Sequence, residues 1–397
     1  MMSVWSSLVG QEAAVAKLSE AAASARAIVA SRGGAHASDD ARSMSHAWLI
    51  TGPPGSGRSV AARAFAAALQ CTGETVGCGH CAGCRTTMGR TNADVVFAAT
   101  ETSIINVETA RSLVLQAQSS PSQGLWRVIV VEDADRLGES GANALLKAIE
   151  EPPEHTVWLL CAPSPEDMIA TIRSRCRHLG LRIPTAAAVA DLLVREGVAT
   201  PEVALEAARA AQSHIGLARA LARDPQMRER RRAIITAPAS VRSVGEAVMA
   251  ADRLLETAKA QADAQVSERN AREKAELMRQ LGMDEGESAT KASRTMIRQL
   301  EEDQKRRSKR ALTDAIDRAL IDLLAIYRDV LMVQVGGDGE LINTDLADLV
   351  GQIARDSTPR QTLARVDHIE TARKRLVSNG NPLLVLEDMA ISLRPQA

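Results

Sequence analysis

The chain has 397 residues, enough for two or three domains with cores of their own. Its 48 Lys and Arg stand against 49 Asp and Glu, a net charge of −1 that excludes a broad basic surface for nucleic acid and leaves room only for local contacts. Aromatic residues make up 2% of the chain, too few for stacking platforms along a single strand, and six cysteines point to thiol or metal chemistry in a reducing cytosol, not to a disulfide framework.

The N-terminus lacks a basic stretch followed by an apolar one, and no apolar run approaches the length of a membrane span, so a cytoplasmic chain with no transmembrane helix is expected. Residues 3–30 read as a short turn and then an amphipathic helix, with Val9-Gly10-Gln11-Glu12 at the junction. Residues 31–45, rich in Gly, Ala, Ser and Asp, read as an exposed loop. The apolar run His46 to Thr51 reads as a buried strand, followed at once by Gly52-Pro53-Pro54-Gly55-Ser56-Gly57-Arg58-Ser59 and a helix over Val60 to Leu69. A second strand is Arg127 to Val131, ending at Glu132-Asp133-Ala134-Asp135, and a third is Thr156 to Cys161. Between them Asn143 to Glu151 forms a helix stopped by Pro152 and Pro153. Strands alternating with helices over 1–180 predict an α/β domain with a parallel sheet and ligands at the strand carboxyl ends. After Pro184 the strand signal fades: 185–227 give compact alanine-rich helices and everything from 228 reads as helix. That region includes a very polar stretch at about 259–311, and Gly336-Gly337-Asp338-Gly339 reads as a loop. No internal repeat is evident.

The glycine loop meets the phosphate-binding pattern G-x-x-x-x-G-K-[ST] everywhere except at the lysine, where Arg58 stands. Gly52, Gly55 and Gly57 allow the tight turn that wraps phosphate in backbone N–H groups at a helix N-terminus. Ser59 would offer its hydroxyl to Mg2+. Arg58 keeps the positive charge, but its longer, planar, forked group does not substitute for lysine between two phosphates. Acids after the second strand would hold Mg2+ and orient a water in an ATPase of this type, in the order Asp-Glu, whereas here the order is Glu132-Asp133. Both departures predict weak or absent ATP hydrolysis, with ATP or ADP binding left open.

Cys71, Cys78, Cys81 and Cys84 form C-x6-C-x2-C-x2-C in a loop that also holds Gly77, Gly79 and Gly83. Four thiolates so close suit a closed, tetrahedral structural Zn2+ site, with His80 as the alternative ligand and a set of free thiols as the plain reading. Cys161 and Cys176 stand apart and read as buried apolar residues. Ser174-Arg175-Cys176 follows the third strand and a short helix, and on local grounds alone Arg175 reads as a helix-terminal arginine paired with a nearby acid. The basic runs Arg228 to Arg232 and Lys305 to Arg310 are interleaved with acids and read as solvated helix faces.

Taken together, Val9-Gly10-Gln11, the glycine loop, the four-cysteine insert, Asn143-Ala144-Leu145-Leu146-Lys147 running into Glu150-Glu151-Pro152-Pro153, and Ser174-Arg175-Cys176 resemble the bacterial DNA polymerase III clamp loader, a family of AAA+ ATPases. The resemblance is strong over about 1–230. It implies an α/β P-loop AAA+ domain (1–180, zinc-binding insert 71–84), a small helical lid (181–227) and an all-α collar (228–397) with a charged helical extension at about 259–311. Arg58, the swapped Glu132-Asp133, Ala162-Pro163 where motor subunits carry threonines, and the missing Tyr-Arg-Pro before Val9 resemble the delta-prime branch more than the ATP-hydrolysing gamma/tau branch. The resemblance further implies a ring with gamma/tau and delta subunits that places a sliding clamp on primed DNA. In it Arg175 would serve as an arginine finger in trans, and Arg219 would match a sensor arginine of the nucleotide site. The alternatives are a gamma/tau-like motor subunit, and a zinc-bearing nucleic-acid-binding protein outside replication.

Overall fold

The structure is a computed structural model that describes residues 3–31, 43–98, 105–281 and 291–394. Most of the loop read at 31–45, and the middle of the charged stretch at 259–311, lie outside the described residues. The chain divides into two compact units, Met1–Ala222 and Arg223–Ala397.

The first unit is built on a five-stranded parallel sheet of β1 (Ala47–Thr51), β2 (Val95–Ala98), β3 (Arg127–Val131), β4 (Thr156–Ala162) and β5 (Arg177–Gly180), in the order β2-β3-β4-β1-β5. Every residue of β1 and β4 is buried, as is β3 beyond Arg127, which fits a parallel sheet covered on both faces. Alternation along the strands splits the core. Trp48, Ile50, Val130, Leu159 and Cys161 pack under α1 (Glu12–Ala30) and α2 (Arg58–Leu69), while Leu49, Ile129, Trp158 and Leu160 face the other way. After the short α3 (Ala82–Met88), that second face is covered by α4 (Val107–Ala117) and α5 (Glu139–Glu150). Six alanines of α2 are fully or almost fully buried, and their small side chains let the helix lie close on the sheet while Phe65 meets Trp48 edge-on at 5.3 Å. Trp158, fully buried, donates its indole N–H to the Ala148 carbonyl at 3.1 Å and so ties β4 to α5.

Register fixes the functional edge. Ile50 lies opposite Cys161, Thr51 opposite Ala162, and Val131 opposite Leu160, so the carboxyl ends of β1, β3 and β4 finish side by side. The segments leaving those ends are the glycine loop, Glu132-Asp133 and Pro163. Downstream, α6 (Ala170–Arg173) leads into β5, and α7 (Ala186–Arg195), α8 (Pro201–Ala210) and α9 (Ile215–Arg223) complete the unit.

The second unit is all helical: α10 (Pro225–Ser240), α11 (Val244–Gln280), α12 (Lys291–Val335), α13 (Ala347–Asp356), α14 (Pro359–Val377) and α15 (Pro382–Ser392). Its core gathers Ile316, Leu320, Leu323, Ile326 and Val330 of α12 with Leu255, Ile369 and Leu386. Further along, the buried apolar cluster that α11 and α12 share among the described residues is small: Ala262, Val266 and Ala311. Polar bonds then take over, with Arg307 donating to Asn270 and Glu273 (both 2.8 Å) and Gln304 to the Asn270 carbonyl (2.9 Å). The glycine cluster at 336–339 is a loop between α12 and the next helices. No helix among the described residues is long and apolar enough to cross a membrane. The fold is thus a parallel-sheet AAA+-like domain followed by helical domains.

Candidate functional site

The glycine loop turns directly from β1 into α2. Gly55 and Gly57 each sit at φ +90°, where a side chain is strained, and a Cβ on Gly55 would also meet the His214 Cα at 3.0 Å. At Gly52 close approach decides: a Cβ there would lie 2.9 Å from the Leu181 carbonyl oxygen. Gln11, 5% exposed, holds the loop from behind. Its amide donates to the Ser56 carbonyl at 3.1 Å and to the Arg182 carbonyl at 2.5 Å, and it accepts from the Arg182 N–H at 3.2 Å. The Gly52 N–H donates to the Pro163 carbonyl at 3.1 Å, which joins the loop to the end of β4. No side chain caps the N-terminus of α2, so its first-turn N–H groups and helix dipole face the loop. Two polar groups of the loop are buried without a hydrogen-bond partner: the Ser56 hydroxyl and Nη1 of Arg58. Such a cradle fits a phosphate group.

The acids beside it are arranged differently from what their types suggest. Glu132 leaves β3 on the α2 face next to Cys161, and its carboxylate is held by Arg90 at 2.5 Å, with Glu132 only 13% exposed. Arg90 is positioned by the cysteine-bearing segment: it follows α3, takes φ +59°, donates its N–H to the Thr87 carbonyl at 3.0 Å, and lays its guanidinium 5.0 Å from the Phe97 ring centre. Arg63, five residues along α2 from Arg58, has its pKa lowered by burial and by Arg90, with Glu132 opposing. Burial pushes the Asp135 carboxyl above the ordinary range; Asp133 adds to this, and Arg136 and Arg58 oppose it. Burial likewise raises the Cys161 thiol to about 12, so it is an inert apolar residue. Of the oxygen donors Mg2+ would use, the Glu132 carboxylate fits poorly, because it is already engaged by a guanidinium that does not lose its proton, which leaves the Ser59 hydroxyl. Sequence reasoning missed Arg63 and Arg90. Nothing local marks them, since the decisive contact joins residues 42 positions apart.

The four cysteines of the insert come together, their sulfurs all within 4.8 Å of one another. A tetrahedral zinc with bonds of about 2.3 Å places its sulfurs roughly 3.8 Å apart, and Cys81 Sγ lies 3.9 Å from Cys71 Sγ. Gly77 and Gly79, at φ +75° and +81°, bend the chain around the cluster, and Cys81 caps α3 by accepting from the Cys84 N–H at 3.4 Å. Burial pushes the Cys81 thiol up, but the N–H groups of Cys84 and Thr72 and the neighbouring thiols outweigh it and bring it to about 5. Cys84, by contrast, is raised by burial and by its neighbours Cys81 and Cys71. His80 turns its Nδ1 to the Cys78 carbonyl at 3.0 Å, and the cluster among the described residues consists of cysteines alone. It is capable of coordinating a metal ion.

The two arginines singled out by sequence are each paired with an acid. Arg175 follows α6 and its C-cap Ser174. Its guanidinium pairs with Glu150 at the end of α5 and donates to the Thr171 carbonyl at 2.7 Å, with 37% of the side chain exposed. Arg219, on α9, makes a two-point bond to Glu196, Nε to Oε2 at 2.9 Å and Nη2 to Oε1 at 2.8 Å.

Residues 36–185 match the family model described as DNA polymerase III, delta subunit. The chain is 35% identical over 159 residues to DNA polymerase III subunit gamma/tau of Mycobacterium tuberculosis, a match covering 39% of this chain and 28% of that one. It is 34% identical over 180 residues to subunit delta-prime of Escherichia coli (44% of this chain, 54% of that one) and 34% over 165 residues to subunit delta-prime of Pseudomonas aeruginosa (41% and 50%). The matches thus span about half the length of these delta-prime relatives and under a third of the gamma/tau relative. A gamma-subunit-related protein of Thermotoga maritima superposes with a TM-score of 0.43 at 16% identity, over 94% of this chain and 98% of that one. Over its first domain, the chain is thus similar to the gamma/tau and delta-prime subunits of DNA polymerase III.

Proposed function

We propose that the chain is the delta-prime-like member of a clamp loader: a stator that hydrolyses little or no ATP itself and donates Arg175 to ATP held by a neighbouring motor subunit. The observation that carries this reading is the state of its own nucleotide site. Arg58 replaces the loop lysine, and the acid Glu132 is tied up by Arg90. A site so disposed lacks the metal-holding carboxylate of a phosphoryl-transfer centre. Arg175 needs no such site on its own chain. A guanidinium delivered in trans neutralises charge growing on the transferred phosphoryl group, and the part-exposed position of Arg175 suits that role. In this reading the chain joins gamma/tau and delta subunits and acts on the sliding clamp and primed DNA through the assembled ring. Residues 1–180 form the AAA+ domain, 181–227 a lid and 228–397 the collar. Zn2+ on Cys71, Cys78, Cys81 and Cys84 would tie the insert together as a closed structural site, leaving no open position for catalysis. Arg219, engaged by Glu196, would join a nucleotide only by exchanging that partner.

The second reading, a gamma/tau-like motor subunit, is favoured by the 35% identity to the Mycobacterium tuberculosis gamma/tau chain. The purified chain decides between them. Negligible ATPase, with or without primed DNA, is expected; robust turnover abolished by Arg58→Ala would establish the motor reading instead. Recovery of clamp-loader subunits with the tagged chain tests the class as a whole.

A further inference from the structure

The glycine loop keeps the elements of a phosphate cradle while the adjoining acid, Glu132, is engaged by Arg90. We propose that this loop binds a nucleoside polyphosphate as the free anion, without Mg2+, its charge met by Arg58 and the α2 N-terminus. Three observations converge. The first is the cradle: Gly55 and Gly57 each take φ +90°, which turns the chain tightly, and α2, twelve residues long, begins there uncapped. The second is unmet bonding capacity pointing to a ligand: the Ser56 hydroxyl, on a residue 2% exposed, and Arg58 Nη1 are buried with no partner. The third is the cation balance. Mg2+ is held by carboxylates and waters in a near-octahedral shell. Glu132, which would supply that carboxylate, is neutralised by Arg90 at 2.5 Å, with Arg63 close behind. Arg90 is itself fixed by the backbone after α3 and by Phe97, so vacating Glu132 means breaking a charge-assisted bond and a ring contact together. A divalent ion arriving with the nucleotide therefore gains no protein ligand from Glu132.

The inference goes beyond the stator reading and is tested on the isolated full-length chain, so the two fail separately. ATP and ADP are titrated against the protein by calorimetry, once in excess Mg2+ and once in excess EDTA. The affinity in EDTA is expected to equal that in Mg2+ within about threefold or to exceed it, because the carboxylate that would hold the ion stays with Arg90 and the Ser59 hydroxyl alone is a weak ligand. Arg58→Ala is expected to weaken binding in EDTA by about tenfold or more, the loss of one charge-assisted contact. Arg90→Ala, which frees Glu132, is expected to make binding improve when Mg2+ is added. A gain of more than about threefold from Mg2+ in the unaltered protein overturns the proposal, and so does the absence of binding in both buffers. The unaltered protein alone decides, so a variant that fails to fold does not rescue the idea. Absence of nucleotide binding would leave the role assigned to Arg175 standing.

Discussion

Replacing Arg175 by alanine separates its two readings, because the structure gives the local one a small and calculable worth. In the isolated chain Arg175 pairs with Glu150 and caps the Thr171 carbonyl, with side chains 37% and 41% exposed. Exposed ion pairs contribute about 0.2–1 kcal/mol, reduced further by salt. Loss of the pair should therefore lower the melting temperature by no more than about 4 °C in a unit of this size. An arginine finger is a different matter: its removal costs on the order of 10^3-fold or more at the site it serves, about 4 kcal/mol of barrier. In a reconstituted loader, Arg175→Ala is expected to assemble normally by size-exclusion chromatography. Its DNA-stimulated ATPase should fall by at least the share of the one site facing Arg175. Glu150→Ala is the discriminating control. It breaks the same ion pair but leaves the guanidinium in place, so ATPase should stay within about twofold of the unaltered complex. Unchanged turnover in Arg175→Ala, or equal losses in both variants, refutes the finger: the first removes Arg175 from the mechanism and the second reduces it to a local brace.

Cys81→Ser should lower bound zinc well below one equivalent and speed proteolysis across residues 71–88; reduced, unaltered protein with no zinc by metal analysis would defeat the assignment. Asp94 is buried, yet the N–H groups of Ser122, Gln123 and Gly124 and the Ser122 hydroxyl outweigh that burial and hold its carboxyl below the ordinary range. A depressed folded-state pKa stabilises above the unfolded value near 4 and is lost as pH falls through the folded value. Asp94→Asn should thus cost about 1–3 kcal/mol at neutral pH and flatten the acid limb of stability against pH; parallel curves would contradict this. Arg231 reaches Asp322 at 3.1 Å and Asn343 at 2.7 Å inside the helical unit. Arg231→Ala, which leaves the buried Asp322 only Arg318 as a neighbouring cation, should cost about 3–5 kcal/mol in chemical denaturation, and a cost under about 1 kcal/mol would show that Arg318 or water takes over.

The central strands were legible because burial on both faces leaves an uninterrupted apolar run: β1, β3 and β4 were read almost to the residue. The strands missed, β2 and β5, are the two edges of the sheet. Each is four residues long, and in Arg177–Gly180 only Leu179 is buried, so neither carries a pattern that rises above its surroundings. The cysteine cluster was legible from spacing, since thiolate ligands must lie close in space and three of these lie close in sequence. The helices α3 and α4 went unread; α3, seven residues long, is too short for a periodic pattern to stand out. Helix after residue 228 was read correctly in kind, but the division of α11 and α12 into a packed part and a polar, hydrogen-bonded part depends on which residues meet across the pair.

The site shows the sharper limit. The inverted order Glu132-Asp133 suggested a lapsed metal centre from side-chain length alone: one acid too long, the next too short. The geometry supplies another cause. Glu132 is engaged by Arg90, a residue delivered from beyond the cysteine insert and invisible to any local motif. Arg90 thereby links two features that the sequence presents as separate, since whatever orders the insert also orders the group that holds Glu132. A chain with this arrangement can retain phosphate donors and still lack the means to activate a phosphoryl group. Holding a nucleotide and acting on one are then separable, and substitutions at Arg58 and at Arg175 should affect different reactions on different chains.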